Sequence, residues 1–111
     1  MGSIGGYRRD IRLYDDIKDK LWRIVGKLDD ASNSAGHIKS ELSSNYRINN
    51  NPTKTSTRID TLNRSIGEEA DYIRNVVIPA IEGAISYSER EIDRLEEEER
   101  RRREEEEDDD D

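Results

Sequence analysis

The chain has 111 residues, 41% of them charged and 31% hydrophobic, with no Cys, no Phe, one Trp and a formal net charge of −8. So lean an apolar fraction excludes a thick globular core but not a thin helical one, and the lack of Cys excludes a disulfide framework or a thiolate metal site. Residues 96–111 hold four Arg and twelve acids, 4 − 12 = −8, which leaves residues 1–95 neutral; a neutral body with an acidic tail is a poor nucleic-acid binder, because phosphate neutralisation needs a basic surface.

The opening MGSIGGYRRDIRL has no continuous apolar run of signal-peptide length, and no later stretch approaches the roughly 20 apolar residues that span a bilayer. Membrane insertion is therefore not expected, and export would follow a non-classical route. Met1-Gly2 suggests myristoylation, but Gly6 stands where that motif needs Ser or Thr.

In the first half, apolar residues recur at alternating steps of four and three: Ile17, Leu21, Ile24, Leu28, Ala31, Ala35, Ile38 and Leu42. This heptad seam predicts a first helix over about residues 7–45, with Tyr7 and Tyr14 continuing the Leu21, Leu28 series. Ile4, Ile11, Trp22 and Val25 fall off the seam. Gly26 and Gly36 each weaken a helix by roughly 1 kcal/mol relative to Ala, which a long packed helix absorbs.

The segment around Asn49, Asn50, Asn51 and Pro52 reads as the connection, spanning residues 46–56. Thr57 followed by Asp60 resembles a capping box and predicts a second helix from about residue 57 to about residue 100. Its stripe is Ile59, Leu62, Ile66, Ile73, Val76, Ala80 and Tyr87. Pro79 removes one backbone hydrogen bond and presses its ring on the Asn75 carbonyl, which predicts a kink. The expected fold is all-α: an antiparallel two-helix hairpin over residues 1–95, kinked near Pro79.

Near that proline the apolar residues Val76, Val77, Ile78, Ala80, Ile81, Ala84 and Ile85 surround most of the helix. One hairpin partner covers one side only, so Val76, Val77, Ile78, Ile81 and Ile85, with Trp22 and Val25 on the first helix, are expected to bind another helical protein. The charged extension over residues 96–111 places Glu96, Glu97, Glu98 and Glu99 four residues before Arg100, Arg101, Arg102 and Arg103, each pair worth ~0.2–0.5 kcal/mol in an isolated helix. It is expected to form a solvated rod to about residue 103 and to fray beyond, where acids oppose the helix dipole.

Nothing in the sequence points to catalysis. His37 has no Cys or second His beside it, no acid pair stands apart from the helical charge pattern, and SIGG and SIGEEA lack the Lys or spacing of a phosphate loop. No enzyme, cofactor or metal is expected. Tyr87 and Glu91, four residues apart, are helical neighbours and form a candidate recognition patch.

Two helices joined by an Asn/Pro loop, without Cys or signal peptide and with Tyr87-x-x-x-Glu91 late in the second helix, resemble the small helical proteins of bacterial type VII secretion. The likeness covers residues 7–95. Asn49 to Pro52 occupy the place of a Trp-x-Gly loop, so the chain is more similar to partners that accompany LXG toxins than to the strict WXG group. The resemblance implies a homo- or heterodimeric helical partner that targets an LXG effector domain or a second small helical protein for export, with Tyr87 and Glu91 as the signal. It also implies a bacterial cytoplasmic or secreted location. The competing expectation is a homo-oligomeric coiled-coil scaffold unrelated to secretion.

Overall fold

The computed structural model describes residues 2–45 and 52–109. Helix α1 is Ile4–Asn45; α2 is Pro52–Tyr72; a π-helical turn, Ile73–Val77, joins α2 without a break to α3, Ile78–Asp109. The described residues therefore form two long helical runs and include no strand, consistent with an all-α hairpin. By Cα proximity the chain divides into two units, Met1–Asp19 with Pro79–Asp111, and Lys20–Ile78.

Helix α1 begins earlier than the apolar pattern suggests because Ser3 caps it: the Ser3 hydroxyl accepts from the Gly6 N–H at 3.0 Å, and the Ser3 carbonyl accepts from the Tyr7 N–H at 2.9 Å. Helix α2 begins at Pro52 and not at Thr57, since a proline in the first turn has no N–H to leave unpaired and carries a helical φ. Thr57 lies inside the helix, where its carbonyl accepts from the Thr61 hydroxyl. Residues 46–51 of the expected connection lie outside the described residues. At the other end α3 continues to Asp109, past the expected fraying point.

Burial corrects the seam. The residues of α1 that lose most exposure follow Ile4, Gly6 with Tyr7, Ile11, Tyr14, Ile17 with Lys18, Leu21, Val25, Leu28, Ser32, Ala35, Lys39 and Leu42. Ile17, Leu21, Leu28, Ala35 and Leu42 lose exposure as expected, but three alternate positions are one residue later than Ile24, Ala31 and Ile38. Val25 is 3% exposed, whereas Ile24 and Ile38 are 44% and 52% exposed. Both registers give steps of three and four, and the one adopted tolerates Ser32 and Lys39 because each has a partner. The Ser32 hydroxyl donates to Asn63 Oδ1, and the Lys39 ammonium meets Asp60 at 2.7 Å. Asp29 pairs with Arg74 at 3.2 Å beside the same seam.

The second run carries its seam on Ser56, Ile59, Asn63, Ile66, Ala70, Ile73 and Val77, and after the π-turn on Ile78, Ile81, Ile85, Ser88, Ile92 and Leu95. A π-turn holds one residue more than an α-turn, so it advances the register by one. Pro79 explains its place. An unbroken α-helix would set the proline ring against the Asn75 carbonyl with no N–H to satisfy it; widening the preceding turn moves that carbonyl, and the Ile78 N–H bonds to the Ile73 carbonyl instead. Without the extra residue the seam would continue through Ala80, Ala84 and Tyr87, the stripe that periodicity suggests. With it, branched aliphatics are buried: Ile78 is 1% exposed and Ile85 and Ile92 are 9% exposed. Leu62, Val76, Ala80 and Tyr87 are exposed and not on the seam.

Equal truncations on the two registers should thus differ. Ile78→Ala should cost about 2–5 kcal/mol in urea or thermal unfolding, and Ile38→Ala less than about 1 kcal/mol. Similar losses at both would show that the seam runs through Ile38.

Candidate functional site

In the unit formed by Met1–Asp19 and Pro79–Asp111, the register shift turns Tyr87 outward. Its ring meets Tyr7 edge-on, with centroids 6.3 Å apart and planes at 77°, an arrangement favoured by the aromatic quadrupole. Gly2 also lies against the Tyr7 ring, where an added Cβ would collide with the phenol. One turn beyond Tyr87, the Glu91 side chain is held by Arg94 at 2.7 Å, and Arg94 also reaches Glu98 at 2.7 Å. Removal from water and then the neighbouring Tyr87 and Glu91 push the Tyr7 phenol above its ordinary value, while Arg94 opposes. Arg94 is held in its charged form first by its hydrogen bond to Glu91 and by that carboxylate's charge, then by Glu98.

The two residues singled out by the Tyr-x-x-x-acid spacing are therefore neighbours in a larger cluster of Tyr7, Tyr87, Glu91 and Arg94. Tyr87 is 52% exposed, and Glu91 is half-buried and ion-paired. The sequence signal for Tyr7 was present in the Tyr7, Tyr14, Leu21 series, and that for Arg94 in its spacing of three from Glu91.

The expected partner-binding residues separate by exposure. Trp22 and Val76 are exposed, at 46% and 51%; Val77 and Ile81 are half-buried; Val25, Ile78 and Ile85 are buried within the chain and so do not belong to its open surface. Exposed instead, and missed when Ile24 and Ile38 were given to the seam, are Ile24, Ile38, Leu62 and Tyr72. All four belong to the unit Lys20–Ile78, as do Trp22 and Val76.

A shallow groove in the other unit is lined by Ile11, Asp15, Lys18, Glu82, Ile85, Ser86 and Glu89. Its charges are mixed in sign and its apolar floor is the helical seam. Among the described residues there is no group of three or more His, Cys, Asp or Glu placed to hold a metal, and no helix long and apolar enough to cross a membrane.

In the charged extension, Glu97 and Arg101 approach to 3.6 Å, as their spacing of four suggests, and Arg100 also bonds to Glu97. Glu96 reaches out of its own helix to Arg8 on α1 at 3.1 Å. Both partners are about half exposed or more, so this pair is worth at most about 1 kcal/mol. No family model, no curated protein and no solved structure matches the chain.

The Tyr7 environment gives a signed pH effect. Its neutral phenol is favoured in the folded chain, so the associated stability is complete below the unfolded tyrosine value of about 10 and is lost as pH rises through the raised folded value. A phenolate absorbance titration of the wild type minus Tyr7→Phe should give a component with its midpoint above pH ~10. A midpoint at or below that value would remove the proposed packing around Tyr7. Truncation after Leu95 removes the Arg8–Glu96 pair and no apolar residue, so the unfolding free energy should fall by no more than about 1 kcal/mol.

Proposed function

We propose that this chain works by packing against another helical protein and not by catalysing a reaction, and that it serves a bacterial type VII secretion system as a helical partner. In this role it binds an LXG-type effector domain or a second small helical protein and promotes its export. The observation that carries the packing reading is the set Trp22, Ile24, Ile38, Leu62, Tyr72 and Val76, each between 44% and 58% exposed on a frame whose own seam is already closed. Large apolar side chains recurring at helical spacing outside the seam are what a helix shows when it belongs to a bundle of more than two.

Antiparallel packing of α1 on α2 is part of the proposal. It is supported by contacts whose α1 numbers rise as the others fall: Asp29 with Arg74, Ser32 with Asn63, Lys39 with Asp60. A bend at the π-turn before Pro79 belongs to the same reading. The secretion role itself is supported by the resemblance alone, with Tyr87 and Glu91 as the export signal. A structural homo-oligomer outside secretion is the second reading, favoured by the same exposed residues.

Co-expression with helical proteins encoded beside the gene, followed by size-exclusion chromatography and assay of the culture supernatant, tests both. Val76→Asp should abolish the complex with circular dichroism unchanged, since Val76 is exposed; Ile81→Asp is unsuited to this purpose because Ile81 is on the chain's own seam. Tyr87→Ala with Glu91→Ala should leave the complex intact and stop export. Continued export of that double variant would remove the signal, and failure of every neighbour to bind would leave the homo-oligomer.

A further inference from the structure

Cysteine is absent, so this chain has no thiols with which to tie its two helical runs together. It has five tyrosines, and two of them meet. Tyr7, near the start of α1, and Tyr87, in α3, touch edge-on with ring centroids 6.3 Å apart, and both belong to the same unit. The helix end they join is otherwise held by an ion pair between Arg8 and Glu96 whose side chains are half exposed or more. Tyr87 is 52% exposed, so an oxidant in solution reaches its phenol directly, and the half-buried Tyr7 stands beside it.

A phenol that gives up one electron and its proton becomes a phenoxyl radical, with spin on the ring carbons next to the oxygen. Two such radicals in contact join through those carbons. Rings at 6.3 Å are within the range of direct aromatic contact, and rotation about the broad χ2 torsion turns the ortho carbons toward each other. The released proton has an acceptor nearby. Glu91 is one turn beyond Tyr87, and both bonds from Arg94 end on its Oε2, at 3.2 and 2.7 Å, so Oε1 is the oxygen that can take a phenolic proton. The other tyrosines are placed differently. Tyr14 is one heptad further along α1, about 10 Å from Tyr7 along the helix axis and too far to couple with it. Tyr72 belongs to the unit Lys20–Ile78.

We propose that Tyr7 and Tyr87 form an intrachain cross-linking site, joined by a carbon–carbon bond when a peroxidase-class oxidant acts on the chain with hydrogen peroxide. Each phenol loses one electron and one proton, and the peroxide takes up both pairs to become two molecules of water. The radicals couple ortho to ortho, and each ring regains its aromaticity as the displaced ring hydrogen returns to the oxygen. The product is a dityrosine that closes the chain from residue 7 to residue 87 and fixes the start of α1 on α3. This inference is independent of the export role proposed for Tyr87, because it is read on the purified chain.

The full chain at micromolar concentration, treated with a haem peroxidase and hydrogen peroxide, should yield a monomer lighter by two hydrogen atoms. That monomer should show dityrosine fluorescence, and its digest should contain the peptides of residues 7 and 87 joined. The yield should not change on tenfold dilution, since a contact within one chain has an effective concentration of about millimolar. The tied monomer should melt higher by more than about 5 °C, because a bond across so long a loop restricts the unfolded chain. Tyr7→Phe and Tyr87→Phe should each lose the product, and Tyr14→Phe and Tyr72→Phe should keep it. Phenylalanine preserves the aromatic packing, and unchanged helical circular dichroism verifies that each variant is folded. Dityrosine found only in covalent oligomers, a monomer yield that falls with dilution, or a joined monomer that persists in Tyr7→Phe would overturn the proposal.

Discussion

A proline without an N–H, four residues after Asn75, sets which side chains of this protein face inward. The π-turn that accommodates it adds one residue between Ile73 and Ile78, and that residue changes every inward position from there to Leu95. Beyond Val77 and Ile78, the residues Ile81, Ile85, Ser88, Ile92 and Leu95 take the seam in place of Ala80, Ala84, Tyr87, Glu91 and Arg94. The exchange buries larger aliphatic groups, each worth roughly 1.5–3 kcal/mol when fully removed from water, and keeps a carboxylate and a guanidinium out of the seam. One disturbed helical turn thus reconciles a proline with a long apolar stripe, and it also delivers Tyr87 and Glu91 to the open side where they meet Tyr7 and Arg94.

The same logic of competing registers governs α1. Its apolar residues occupy three heptad positions, and a two-helix contact uses only two of them. Burial goes to the register of Ile11, Val25 and Leu28, with Ser32 and Lys39 supplied with polar partners on the second run. Ile24 and Ile38 remain outside. A helix with more apolar faces than its own chain covers is unfinished by itself, and this connects packing to function: the residues that the seam rejects are those offered to a partner.

Much of this was legible in the sequence. The two helical runs, the Leu21, Leu28, Ala35 and Leu42 series, and the disturbance at Pro79 all follow from periodicity and backbone chemistry. The choice between Ile24 and Val25 was not, because steps of three and four fit either, and counting apolar residues favours the one that the fold leaves exposed. What decides it are contacts between residues distant in sequence, such as Ser32 with Asn63, which turn apparently unsuitable seam positions into acceptable ones. Pro79 announced a defect but not its form: nothing in the sequence says that the turn before it gains a residue, and that residue is what moves Tyr87 off the seam. The Tyr7–Tyr87 contact joins residues eighty positions apart, which no local pattern encodes.

The account stands on the claim that this chain has one apolar face closed within itself and another left open. Because it contains no Cys, single cysteines report on each face without interference. Thiol-labelling rates measured on dilute chain should be fast for Ile24→Cys, Leu62→Cys and Val76→Cys, and slower by more than about tenfold for Val25→Cys and Ile78→Cys, as local opening of a packed seam requires. Fast labelling at 25 and 78 with protection at 24 and 76 would contradict it.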